Sequence, residues 1–239
     1  MTVLASLLLT MALLAGTGGP APVPRQLLVV TTPAWDSVSG TLRRYERSDA
    51  RAPWRAVGPP VPIVVGQSGL AWGEDALGRA RDPHKREGDG RAPAGRFTLG
   101  TAFGFAPPAQ MDQLRLPYLQ LADDTECVDD AASVHYNTVI GRGDAGRVDW
   151  TSAERMRTID LYRLGVVVRY NAAPVRRGRG SCIFLHIWRA AGSPTSGCTA
   201  MPAPDLETVV AWLDPARQPM LVQLPAAEYA RLRRSWKLP

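Results

Sequence analysis

A histidine and a cysteine stand twelve positions apart in the stretch SCIFLHIWRAAGSPTSGCTAMP, residues 181–202. A cysteine acts as a nucleophile through its thiolate, and a free thiol ionises only near pH 8.5, so a neighbouring base or an amide-rich turn must help it. Both are at hand: His186 closes an apolar run, and the loop RAAGSPTSG can bring Cys198 back to the imidazole. Gly197 permits a tight turn in which the amides of Gly197 and Cys198 point at one spot. Such a pair would hold a tetrahedral oxyanion, where one donor contributes about 3 kcal/mol. The plainer reading is a core histidine beside a small, buried cysteine, and spacing alone does not choose between them. A metal site is not supported. His84 and His135 fall in loops, no C-x-x-C or H-x-x-x-H pattern occurs, and His186 with Cys198 supplies only two ligands, so no metal and no cofactor are expected.

The elements that must position these residues are mainly strands. SCIFLHIW is rich in β-branched and aromatic residues, and alternation puts Cys182, Phe184, His186 and Trp188 on one face and Ile183, Leu185 and Ile187 on the other. QLLVVTT, GTLRRYER, PVPIVVGQSGLAWG, RFTLGTAFGF, YLQL, VVVRY and MLVQLP read as further strands between Gly- and Pro-rich turns. The glycine-punctuated loop DPHKREGDGRAPAG is long, charged and flanked by strands, where binding residues tend to sit. Two helices are expected. In APDLETVVAWLDP, Leu206, Val209, Val210 and Leu213 recur at helical spacing, with Pro204 in the first turn and Pro215 as the stop. In DWTSAERMRTIDLYRLG, Thr151 and Glu154 have capping-box spacing and Gly165 supplies a stop. No internal repeat or break in composition argues for a second domain.

The chain has 239 residues, 45% of them hydrophobic, enough for a sizeable core. Residues 1–24 carry no charged side chain, and VLASLLLTMALLAG has the length of a signal-peptide h-region. We therefore expect a signal peptide over 1–21, one exported domain over 22–239, and no membrane span in the mature protein. The net charge of +6 is carried by arginine, since Lys85 and Lys237 are the two lysines. A basic exported domain suits an anionic envelope; export and the shortness of RRGRG argue against nucleic-acid binding. Three cysteines allow three pairings, or all three are reduced; if Cys198 is to be a thiolate, the pair is Cys127 with Cys182.

The residues of the opening stretch resemble the L,D-transpeptidase catalytic domain family, also called the YkuD or ErfK/YbiS type. That family carries a histidine, a loop, and a Ser/Thr-x-Gly-Cys motif, matched here by His186, Thr195, Ser196, Gly197 and Cys198, with Thr199 and Met201 following. A Pro-x-Gly-x-Phe element of the family is matched by Pro93, Gly95 and Phe97. The resemblance runs from about residue 60 to 225, and it departs at Ala200, where many members carry arginine.

The resemblance implies a mainly β, sandwich-like fold with a few peripheral helices. It implies that Cys198 attacks a peptidoglycan stem peptide between its third residue, a diamino acid, and D-alanine, with His186 as the base. Gly197 and Cys198 would supply oxyanion amides, Thr195 would shape the turn, and Ser196, Thr199 and Met201 would complete the motif. An amine of another stem then resolves the thioester, giving a 3→3 cross-link or attachment to a protein. Arg86, Arg91 and Arg179 are candidates to grip stem carboxylates. Two other functions fit the residues: a carboxypeptidase or amidase on the same scaffold, and an envelope-binding module without catalysis. The expected location is extracytoplasmic, periplasmic or associated with the cell wall.

Overall fold

The computed structural model describes residues 23–73, 78 and 81–239; the leader expected over 1–21 lies outside the described residues. The strands, in chain order, are β1 (Gln26–Thr32), β2 (Ser39–Glu46), β3 (Arg55–Val64), β4 (Leu70–Trp72), β5 (Ala92–Gly104), β6 (Tyr118–Gln120) and β7 (Thr125–Val128). They continue with β8 (Val139–Gly141), β9 (Ala153–Arg155), β10 (Leu164–Val168), β11 (Phe184–Ile187), β12 (Thr199–Met201) and β13 (Met220–Pro225). Among the described residues, two α-helices, α1 (Ala203–Trp212) and α2 (Ala226–Leu232), lie at the periphery. The mainly β class expected from the sequence is what is observed.

Ten strands form one sheet in the order β10-β11-β12-β3-β2-β1-β13-β5-β4, with β6 added beside β5. The sheet curls back on itself because β5 serves two neighbours. Its residues Gly95–Thr98 pair with β13, and Leu99–Gly104 pair with β10. Closure of this kind leaves few unpaired edges. A separate three-stranded sheet, β8-β7-β9, sits beside it.

The inside of the curled sheet is a large apolar core in which Leu28, Val30, Leu42, Trp72, Leu185 and Val222 are all buried. Helix α1 seals it with Leu206, Val209 and Val210, the residues picked out by helical spacing, and Pro204 stands in its first turn. Helix α2 carries no such repeat and was not expected.

A second, smaller core lies on the other face of β11. Phe103, Tyr162, Phe184 and Cys198 meet there beside the disulfide Cys127–Cys182. The alternation read in SCIFLHIW thus becomes two environments: Ile183, Leu185 and Ile187 go to the large core, while Cys182 and Phe184 go to the small one.

The helix expected over 149–165 is not formed. The segment instead contains β9, 3-10 turns at Met156–Thr158 and Asp160–Tyr162, and the start of β10. Tertiary partners take both capping residues. The amide and hydroxyl of Thr151 donate to Asp130 Oδ2, each at 2.8 Å. Glu154 pairs with Cys127 in the small sheet, and its carboxylate receives the Tyr162 hydroxyl at 2.7 Å. Without a helical apolar repeat, the capping pattern could not compete with strand pairing.

Candidate active site

The site is built where β11 and β12 run parallel, with His186 beside Ala200 in the register. Cys198 immediately precedes β12 and is 6% exposed, while His186 is 5% exposed. Thr195 sets the turn before the cysteine. Its Oγ1 donates to the Cys198 carbonyl at 2.7 Å and accepts the Gly197 amide at 3.1 Å. Its backbone is anchored in turn, Thr195 N donating to Val65 O at 3.0 Å and Gln67 N to Thr195 O at 2.9 Å. Gly197 has φ +155°, and a Cβ there would lie 3.0 Å from the Arg91 carbonyl oxygen, so any larger residue would be strained.

These contacts bear on the amides of the turn. The Gly197 amide, expected to face an oxyanion, donates to Thr195 Oγ1 within the turn at 3.1 Å.

The imidazole of His186 is fixed by a 2.7 Å bond between Nδ1 and the Ile187 carbonyl. A carbonyl only accepts, so Nδ1 carries the proton and Nε2 keeps its lone pair. Burial lowers the imidazole pKa to about 4, so the ring is neutral at neutral pH. Burial also pushes the Cys198 thiol up, and the nearby Glu154 carboxylate pushes it further. The Phe184 amide, 3.3 Å from Sγ, Lys85 and Tyr162 act the other way. Sγ in turn donates to the Cys182 carbonyl at 3.4 Å. The resting pair is therefore a neutral thiol and a neutral imidazole, which suits proton transfer on substrate binding more than a standing ion pair.

Tyr162 binds the site together. Its ring meets His186 edge-on at 5.2 Å and Phe184 at 5.5 Å, and its hydroxyl donates to Glu154 Oε2 at 2.7 Å. Burial holds its own ionisation well above the ordinary range.

Two cavities meet at Cys198. One, of about 300 Å3, is lined by His186, Tyr162, Trp188, Arg189 and Ser196. The other, of about 250 Å3, is lined by Lys85, Glu87, Asp129, Ser181 and Gly197. Glu154, Ser196 and Cys198 belong to both linings.

A family model described as YkuD, L,D-transpeptidase catalytic domain, matches residues 41–222. The chain belongs to this family. No curated protein and no solved structure gives a match. L,D-transpeptidase domains act on peptidoglycan, and the curled mainly β sheet described above is consistent with their fold.

Other residues picked out in the sequence take different places in this L,D-transpeptidase domain. Thr199 lies beneath the site, its hydroxyl donating to Gln223 Oε1 at 2.6 Å, and Gln223 Nε2 donates to Pro93 O at 2.9 Å. That chain joins the two family motifs. Met201 is fully buried in the large core; Ala200 is also fully buried, between Val64 and His186 in the register, so an arginine at 200 would have to bury a charge there.

None of the three proposed carboxylate-gripping arginines lines the Cys198 cavities. The guanidinium of Arg91 donates to the carbonyl of Leu70 at 2.9 Å. Arg179 lines a separate cavity of about 480 Å3 that does not include Cys198. Arg86 is exposed on its loop. Arg189 was missed although it lines the first cavity; its position just after the His-bearing strand was the available signal. Glu154 and Tyr162 were missed because they were assigned to a helix.

Among the described residues, no group of three or more His, Cys, Asp or Glu side chains is placed to hold a metal ion, and no helix is long and apolar enough to cross a membrane.

Proposed function

We propose that this chain is a cysteine acyltransferase that cuts peptidoglycan stem peptides and passes the acyl group to an amine. In this reading Cys198 Sγ attacks the carbonyl of the third stem residue while His186 Nε2 takes the thiol proton. The C–N bond to D-alanine breaks, the imidazolium returns its proton to the departing amine, and a thioester remains. An acceptor amine then attacks the thioester, its nitrogen bonding to the carbonyl carbon as the C–S bond breaks and the sulfur recovers a proton. The Cys198 amide is the backbone donor left to face the oxyanion, and Arg189 is the arginine suited to a stem carboxylate.

The observation that carries the reading is that Cys198 lines two cavities. A transferase needs room for donor and acceptor chains, whereas hydrolysis needs one groove and water. The Cys127–Cys182 disulfide supports an oxidising, extracytoplasmic location.

The test is incubation with disaccharide-tetrapeptide followed by mass spectrometry. D-alanine release with a dimeric product is the expected result. Release without dimer would replace transfer by hydrolysis, and a folded protein giving neither would leave a binding module. A carbapenem should add one adduct to the intact mass, lost in Cys198→Ala.

A further inference from the structure

We propose that Glu154 is the base that takes the proton of a cationic acceptor amine, and that the acid-lined cavity beside it admits that amine to the Cys198 thioester. The inference rests on the transfer reading above and assigns a residue and a side of the site that the reading leaves open.

Proton accounting makes a second base necessary. An alkyl ammonium has no lone pair, so one proton must leave it before attack, and a second leaves as the amide forms. The second returns to the sulfur and regenerates the thiol, an exchange that His186 can mediate. The first needs a separate acceptor at the mouth of the site.

Glu154 is placed for that task. It lines both cavities that meet at Cys198, coming from β9 on the small sheet and not from the strands that carry His186 and Cys198. The second cavity adds Glu87 and Asp129, and Asp129 Oδ1 is buried with no hydrogen-bond partner among the described residues. Lys85, the cation of that lining, is already paired with Asp89 at 2.7 Å. Glu87 accepts from the Ser181 hydroxyl at 2.7 Å and from the Tyr136 hydroxyl, which fixes its carboxylate in place. The lining therefore favours a cation over the anionic end of a stem.

The strength of the base fits as well. Tyr162, Cys198, His186 and Arg189 share the lining of the first cavity with Glu154, and Asp129, Glu87 and Lys85 that of the second. Burial, with the charges of Asp129 and Glu87, outweighs the Tyr162 hydrogen bond and raises the carboxyl to about 7. An exposed glutamate near 4.3 would be too weak a base to compete for an ammonium proton. On transfer the ammonium N–H bond breaks, an O–H bond forms on Glu154, and the proton leaves to solvent through the cavity.

The two half-reactions separate this role from a structural one. Carbapenem acylation, followed by intact mass, reads the first half, and dimer formation from disaccharide-tetrapeptide reads both. Glu154→Gln should acylate at least as fast as the parent, because a charge that opposes the thiolate is gone. It should form dimer about 100-fold more slowly or worse, with accumulated acyl-enzyme and a deficit that shrinks towards high pH as free amine becomes available. Glu154→Asp, which keeps the charge, should recover dimer formation to within about tenfold of the parent. Equal losses in both half-reactions, unchanged dimer formation in Glu154→Gln, or no recovery by Asp would overturn the proposal. A parent protein that forms no adduct would overturn the transfer reading itself, and this inference with it.

Discussion

The buried carboxyl of Glu154 should make the protein less stable as pH rises, and the effect can be isolated. Its pKa stands at 4.5 in an unperturbed chain and about 7 in the folded one. Below pH 4.5 both states are protonated and the group is neutral in its effect. Between 4.5 and about 7 the unfolded chain releases the proton while the native chain keeps it, so stability falls; above about 7 both are ionised and the loss is complete. At 1.36 kcal/mol per pKa unit the total is about 3 kcal/mol. Glu154→Gln keeps the shape of the protonated form and cannot ionise. Urea unfolding of parent and variant at pH 4 and pH 8 should therefore give nearly equal stabilities at the lower pH and a more stable variant, by up to about 3 kcal/mol, at the higher. With a urea slope of about 2 to 3 kcal/mol/M, the variant's midpoint should move up by about 1 M relative to the parent. Groups such as His186 titrate in both proteins and cancel in the difference. A variant-to-parent difference that does not change between the two pH values would refute the buried, carboxylate-rich environment on which the argument stands.

His186→Ala should lower carbapenem acylation by about 100-fold or more, and the residual rate should climb with pH as the buried thiol ionises unaided; stopped-flow or intact-mass kinetics across pH would show it. Cys127→Ser opens a disulfide with a sequence separation of 55, worth about 4 kcal/mol by loop closure, so thermal melting should drop by about 10 °C, and reductant should destabilise the parent but not the variant. Gly197→Ala places a methyl 3.0 Å from the Arg91 carbonyl at φ +155°, which should cost about 1 to 3 kcal/mol in denaturant melts and slow acylation as the Cys198 turn shifts.

Much of the fold was legible because its signals are local. Alternation in SCIFLHIW assigned β11 and both of its faces, and helical spacing of Leu206, Val209 and Val210 assigned α1. The segment 149–165 failed for the opposite reason. Thr151 and Glu154 have the types and spacing of a capping box, but the partners that decide their fate, Asp130 and Tyr162 among them, are set by pairing with β7. Arginine runs were equally ambiguous, since Arg91 ends against backbone carbonyls and Arg179 in another cavity.

The sequence by itself determined the mainly β class, the family, and the order of His186, turn and Cys198, since these depend on residue type and short-range spacing. Only the tertiary structure decided how those residues are surrounded. It buried the thiol and the imidazole so that both rest neutral, turned the Gly197 amide onto Thr195, and placed Glu154 and Tyr162 beside the sulfur. Burial and charge proximity depend on which strands become neighbours, and pairing of strands far apart in the chain sets that.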